Sequence, residues 1–143
     1  DAAAAHGLTF PALSDQSREL LQPFMQPGAI VNNPLDGGLG AAGGVDVFLK
    51  CVDTYLNDPN FDILLLQEEL PREAGTRRAE MVLREVNEMA GKANKPVAFI
   101  SVLSYGVNEF ARSVRAELPH LAIMQEPDRA LRAIKNATNY WRR

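Results

Sequence analysis

"FDILLLQEELPREAGTRRAEMVLREVNEMAGKANKPVAFISVL", residues 61–103, decides the fold class. It opens on the apolar run Phe61–Gln67 and closes on Lys95–Leu103, each reading as a strand covered on both faces. Between them Ala79, Val82, Val86 and Met89 recur at helical spacing, with Thr76 placed to cap the start and Gly91 to mark the end. Strand, helix and strand in succession make a right-handed crossover unit, which requires the two strands to be parallel.

The unit repeats toward the C-terminus. Val107, Phe110, Ala111, Val114 and Leu118 predict a helix, "LAIMQ" (121–125) a strand, and Glu126 onward a last helix with Pro127 in its first turn and Ala130, Ile134, Ala137 and Trp141 along its stripe. On the other side, Val45, Phe48, Leu49, Val52 and Leu56 predict a helix ended by "NDPN" (57–60), because Pro59 cannot continue the ladder. Earlier still, Ser14 is placed to cap a short helix through Leu20, Leu21 and Phe24, stopped by Pro23 or Pro27. "LTFPAL" (8–13) reads as a weak strand limited by Pro11, and Ile30–Val31 as a strand of two or three residues inside an ordered loop. Ala2–Ala5 read as the end of a helix closed by Gly7, so the chain is expected to be a fragment with an earlier strand and loop upstream of Asp1. The order α, β, α, loop, α, β, α, β, α, β, α specifies one doubly wound, flavodoxin-like three-layer α/β/α domain over residues 1–143. Its sheet is expected to be mainly parallel, with the first strand missing from this chain.

With 143 residues, 46% of them hydrophobic, the chain can bury a real core. A net charge of −3 argues against nucleic acid or an anionic membrane as the main partner. Cys51 is the single cysteine, which excludes an internal disulfide and a thiolate zinc cluster and fits a reducing, cytoplasmic setting. The longest apolar run, about Phe61–Leu66, falls far short of the roughly 20 residues that span a bilayer. "DAAAAHG" has neither the basic region nor the apolar segment of a signal peptide.

The loop "NNPLDGGLGAAGG" (32–44) contains GxGxxG at Gly38, Gly40 and Gly43. A dinucleotide loop needs a strand directly before the first glycine and an acid at the end of the next strand, and neither is present. The glycines then read either as a flexible turn, which composition slightly favours, or as bare backbone N–H groups that could face an anion at a helix start. His6, beside a helix C-terminus, and His120, after Pro119 in a turn, read as surface residues. Ser104 and Tyr105 follow a strand at the ligand-facing edge, but no nucleophile elbow is present, and Ser104 and Asn108 read better as loop-ordering or capping groups. Glu68 and Glu69 read as solvated loop acids rather than an acid–base pair. Arg72, Arg77 and Arg78 could meet an acidic ligand or pair with Glu73 and Glu80.

Several segments together resemble one family. They are "DAAAAHGLTFPALSDQSRELLQPFMQPGAIVNNPLDGG" (1–38), "YLNDPNFDILLLQ" (55–67), "KPVAFISVL" (95–103) and "EPDRALRAIKNATNYWRR" (126–143). Asn33-Pro34-Leu35-Asp36 before glycines, and Asp58-Pro59-Asn60-Phe61-Asp62 before a strand, are its most specific parts. In order and spacing the chain is similar to the second flavodoxin-like domain of the NDP-forming acyl-CoA synthetases, relatives of succinyl-CoA synthetase.

The resemblance implies a domain of an enzyme that interconverts acid, CoA and nucleoside triphosphate with acyl-CoA, nucleoside diphosphate and phosphate, through an acyl phosphate and a phosphohistidine. CoA, ATP or ADP, and Mg are then cofactors of the complete enzyme, with none bound by this segment, which is expected to be inactive alone. The implied partners are CoA-binding, catalytic-histidine and ATP-grasp domains or subunits, and a homo-oligomer is left open. The segment would contribute no catalytic side chain and no metal ligand. It would bring helix N-termini and loops to the phosphohistidine loop, through Asn33, Pro34, Asp36, Gly37 and Gly38 and through Pro71 and Thr76. Glu68 and Glu69 depart from the small residues usual in relatives there, and acids beside a phosphate repel it. The alternatives are a non-catalytic docking or small-ligand module of the same fold, and a flavin or dinucleotide carrier.

Overall fold

The computed structural model describes residues 2–25, 30–35, 44–75, 77–102, 104 and 106–141. Strands β1 (Leu64–Gln67), β2 (Val97–Ser101) and β3 (Leu121–Gln125) form one parallel sheet in the order β1-β2-β3. The register aligns Leu64 with Val97 and Val97 with Leu121, so all three strands end at one edge. Helices α4 (Arg77–Lys92) and α5 (Glu109–Ala116) are the crossovers, and right-handed connections put both on one face. Helix α3 (Gly44–Asn57) packs beside α4, and α2 (Asp15–Leu21) beside α3. Helix α6 (Pro127–Trp141) lies against β2 and β3, with α1 (Ala2–Ala5) beside it. This is the expected flavodoxin-like three-layer α/β architecture, with Phe99, Val97, Val86, Leu83, Val52 and Leu21 fully buried at its centre.

Local chemistry accounts for the element ends. Gly7, at φ +63°, closes α1: its N–H donates to the Ala4 carbonyl, and the Leu8 N–H reaches back to Ala3. That pair of bonds is the Schellman motif, which favours glycine because the left-handed region carries no Cβ penalty there. The Ser14 side chain accepts from the Ser17 N–H at the start of α2, and Asn108 accepts from Ala111 N–H (2.8 Å) at the start of α5. Pro23 converts the end of α2 into a 3-10 turn, Gln22–Phe24.

Three sets of expectations are corrected. Neither residues 8–13 nor Ile30–Val31 form a strand. A strand exists through its ladder, and no described strand lies beside either segment; Leu13 and Val31 are buried by packing instead. The run 61–67 yields strand only over its last four residues, because Phe61 leaves the strand to stack on Tyr55 with ring centroids 5.3 Å apart. Continuous two-face burial belongs to β2, where Val97, Ala98 and Phe99 are all buried, and not to β1, where Leu65 and Leu66 are only half-buried.

The third correction concerns Gly91, which lies within α4 rather than beyond its end. A Cβ there would stand 2.9 Å from Cδ2 of His120, so the glycine admits the imidazole rather than ending the helix. His120 is exposed and can swing aside. Gly91→Ala is therefore expected to displace the His120 ring and to change stability by less than about 1 kcal/mol, read from the urea midpoint, because the helix gain of about 0.5–1 kcal/mol is offset by moving the imidazole.

Candidate functional site

The parallel register gathers the three strand-to-helix loops at the carboxyl edge of the sheet, where doubly wound domains present their ligand-facing groups. Residues 68–75 follow β1, residues 102–108 follow β2, and Glu126 follows β3. Asn108 couples two of these loops: its Nδ2 donates to the Arg72 carbonyl at 2.6 Å while its Oδ1 caps α5. The Glu126 N–H donates to the Ser101 carbonyl at 3.1 Å, tying the third loop to the end of β2. Glu126 does this with φ at +61°, a left-handed conformation that a non-glycine residue rarely adopts.

The charges at this edge oppose anion capture at the start of α4. Glu80, in the first turn of α4, accepts from the Gly75 N–H at 3.3 Å, so that donor is already taken. Asp46, Glu109 and Asp128 stand in the first turns of α3, α5 and α6. Each carboxylate answers the positive end of its own helix dipole. Glu68 is half-buried and its Oε1 accepts from the Glu69 N–H at 3.0 Å, while Glu69 is exposed.

Asn33 and Pro34 are joined by a cis peptide bond. The Asn33 Nδ2 donates to the Pro11 carbonyl at 2.9 Å, and the Tyr55 hydroxyl donates to the Asn32 carbonyl at 2.7 Å. Burial pushes the Tyr55 pKa far up, with Cys51 and Asp58 adding to the effect, so its hydroxyl stays a donor. Asn33 and Pro34 line a cavity of about 720 Å³ together with Gln67 at the end of β1. Pro71 is buried in the loop after β1. Asp36, Gly37, Gly38 and Thr76 lie outside the described residues, as do Gly40, Gly43 and Tyr105. The capping role read for Thr76 and the GxGxxG pattern therefore fall outside the description as well.

Asp58 and Asn60, read first as helix-ending residues, turn out to anchor the second helix. Asp58 Oδ2 accepts from the Ser14 N–H and the Ser14 hydroxyl, both at 2.9 Å, and its Oδ1 accepts from the Asn60 N–H at 2.8 Å. The Asn60 Nδ2 donates to the Ala12 carbonyl at 3.0 Å, and Lys95 Nζ donates to the Asp58 carbonyl. Burial raises the Asp58 pKa, and hydrogen bonds from Ser17, Asn60 and Ser14 outweigh it, leaving the carboxyl below its ordinary value. A buried acid beside a capping serine was the available sequence signal, although the distance of 44 positions hides it.

Of the two histidines, His120 is exposed, as expected, and its N–H donates to Asn87 Oδ1 at 3.0 Å. His6 is better covered than expected, with its Nε2 2.7 Å from Asp128 Oδ1. Of the two groups read as loop-ordering or capping, Asn108 is the N-cap of α5, and Ser104 is exposed. Among the described residues no three His, Cys, Asp or Glu side chains cluster as a metal site would need. Among them, too, no helix is long and apolar enough to cross a membrane.

Comparison with known proteins adds a direction to this geometry. No family model matches the chain. The alpha subunit of the ADP-forming acetate–CoA ligase II of Pyrococcus furiosus is 34% identical over 111 residues, a match covering 76% of the chain and 23% of that subunit. The crystal structure of PH0766 from Pyrococcus horikoshii OT3 superposes with a TM-score of 0.69 at 25% identity, covering 97% of the chain and 32% of that structure. The chain thus spans about a quarter of the curated relative's length and about a third of the solved one's.

Proposed function

We propose, starting from the homology of this chain to an ADP-forming acyl-CoA synthetase subunit, that it is one domain of such an enzyme. The complete enzyme would be an acid–thiol ligase joining a carboxylic acid to CoA with conversion of ATP to ADP and phosphate. The observation that carries this reading is the 34% identity to a subunit named for that reaction, on a fold whose loops gather at one edge. CoA, nucleotide and Mg would be held by other domains or subunits, because these 143 residues carry none of the motifs for them.

The domain's share would be positional. Asn33, Pro34, Asp36, Gly37 and Gly38 from one loop, and Pro71 and Thr76 from another, are the proposed contacts with the phosphohistidine loop. The Glu80 bond to Gly75 puts the weight on the first loop, since an occupied N–H and a carboxylate disfavour phosphate at the second. Asn33 would act as a positioning residue: its bond to Pro11 holds the loop against the cavity wall.

The reading is tested on the complete polypeptide with CoA, Mg-ATP and a panel of carboxylic acids that includes acetate. ADP and phosphate are the expected products, and AMP with diphosphate would overturn the reading. Asn33→Ala in that enzyme is expected to slow ADP formation roughly 10- to 100-fold at unchanged acid KM, as misplacement of a reacting group does. Glu69→Ala, at an exposed position, should leave the rate unchanged.

A further inference from the structure

Strand β3 lies at one edge of the sheet, and among the described residues β2 is its only ladder partner. Its five residues, Leu121–Gln125, include no charge and no proline, two devices that commonly keep an edge from pairing. Ala122 is exposed and Ile123 and Met124 are half-buried, whereas Val97, Ala98 and Phe99 of β2 are all buried. One bond fixes which way the backbone groups of β3 turn. The Glu126 N–H donates to the Ser101 carbonyl across the ladder, so Met124 and Ala122, two and four residues earlier, also turn their N–H and carbonyl groups toward β2. Ile123 therefore turns its N–H and carbonyl outward. Leu121, two residues before Ile123, agrees with this alternation, since its N–H donates to the Leu118 carbonyl rather than to β2.

We propose that this edge pairs with the same edge of a second copy of the chain, antiparallel about a two-fold axis at Ile123, joining the two sheets into one. Three features of the strand select a copy of itself as the partner. An axis at Ile123 makes that residue a hydrogen-bonded pair with its counterpart, which requires the outward N–H and carbonyl that Ile123 has. The same axis sets Ala122 opposite Met124 in the non-hydrogen-bonded pairs, where side chains approach most closely and a small residue accommodates a long one.

The third feature fixes the register. Pro119 and Pro127 stand four positions before and four after Ile123, so both fall beyond the paired stretch. An axis moved two residues either way would set a proline, which has no N–H, opposite Ile123. In the proposed register the exposed His120 of one copy lies across from Glu126 of the other, and no two acids oppose each other along the strand. A partner of unrelated sequence would use the outward backbone groups alone; the match of the strand to its own reverse is what points to a second copy.

The test uses the complete polypeptide and reads pairing rather than ADP formation, so its outcome is separate from that of the proposed reaction. Ala122→Cys and Met124→Cys are co-expressed and oxidised, and disulfide-linked peptides are identified by mass spectrometry. In the proposed register positions 122 and 124 of opposite copies have Cα atoms about 4.5 Å apart, within disulfide reach. Either position lies about 8 Å from its own counterpart, beyond that reach. The disulfide joining the two variants is expected to exceed either self-linked species at least about tenfold. In the unaltered protein, amide exchange at Ile123 is expected to be slowed at least about 100-fold relative to the urea-unfolded chain. Exchange within about tenfold of the unfolded rate would show an open edge and overturn the proposal. So would protection without the mixed disulfide, which marks a different segment or partner on the strand, or self-linked species as abundant as the mixed one, which marks pairing in another register.

Discussion

Phe99→Ala is expected to lower the unfolding free energy by about 3–5 kcal/mol, the range for emptying a large buried aromatic site. Phe99 is 1% exposed on the central strand, with Leu66 of β1 and Ile123 of β3 as its register partners. Both neighbours are strands, so the surroundings cannot close on the hole without bending the ladder, which places the cost toward the upper end. Total stability for a domain of this length is only about 7–20 kcal/mol, so the variant should unfold at a much lower urea concentration. Phe99→Leu, which keeps most of the volume, is expected to cost less than half as much. Equal midpoints for Phe99→Ala and the parent would show that the centre of the core lies elsewhere.

Asp58→Ala is expected to cost about 3–4 kcal/mol, less than the sum of its separate bonds because they share one carboxylate. The residue is 1% exposed, and its loss leaves the Ser14 and Asn60 N–H groups without their acceptor. Its pH signature separates charge from shape. The carboxyl titrates below its ordinary value in the folded chain, so the unfolded chain takes up the proton first as pH falls. The stabilisation is thus complete above the unfolded value near about pH 4 and is lost as pH drops through the folded one. Asp58→Asn is expected to be less stable at neutral pH and to lack this part of the acid loss. Parallel stability curves for Asp58→Asn and the parent between pH 5 and pH 2 would contradict the assignment.

These two residues also show what kind of signal the sequence carried. The stretch Asp58–Asp62 is among the most specific parts of the family resemblance, yet its members act structurally. Asp58 ties the start of α2 to the end of α3, Asn60 holds Ala12, and Phe61 stacks on Tyr55. Together they hold the framework on which the Asn33–Pro34 loop rests, through Tyr55 and Pro11. Resemblance therefore identified the architecture more directly than the chemistry. The contacts proposed for Asn33 and Pro71 come from the family, and the geometry adds the competing carboxylate of Glu80.

The crossover units were legible because they rest on local periodicity. Val82 and Val86 on α4, Ala111 and Val114 on α5, and Val97–Phe99 on β2 are buried as their spacing predicts, since burying one helix stripe or one strand run needs little knowledge of the rest. Ser14 and Asn108 as caps, and Gly7 as a left-handed terminator, were readable for the same reason: each satisfies backbone groups within a few residues. Only the tertiary structure decided the matters that depend on partners far along the chain. Residues 8–13 have strand composition and no strand, because a ladder needs a neighbour that the described residues do not supply. Gly91 serves His120 rather than its own helix end, and Asp58 serves Ser14 across 44 positions. Periodicity records which face a residue presents; the identity of what it meets there is set by how the layers stack.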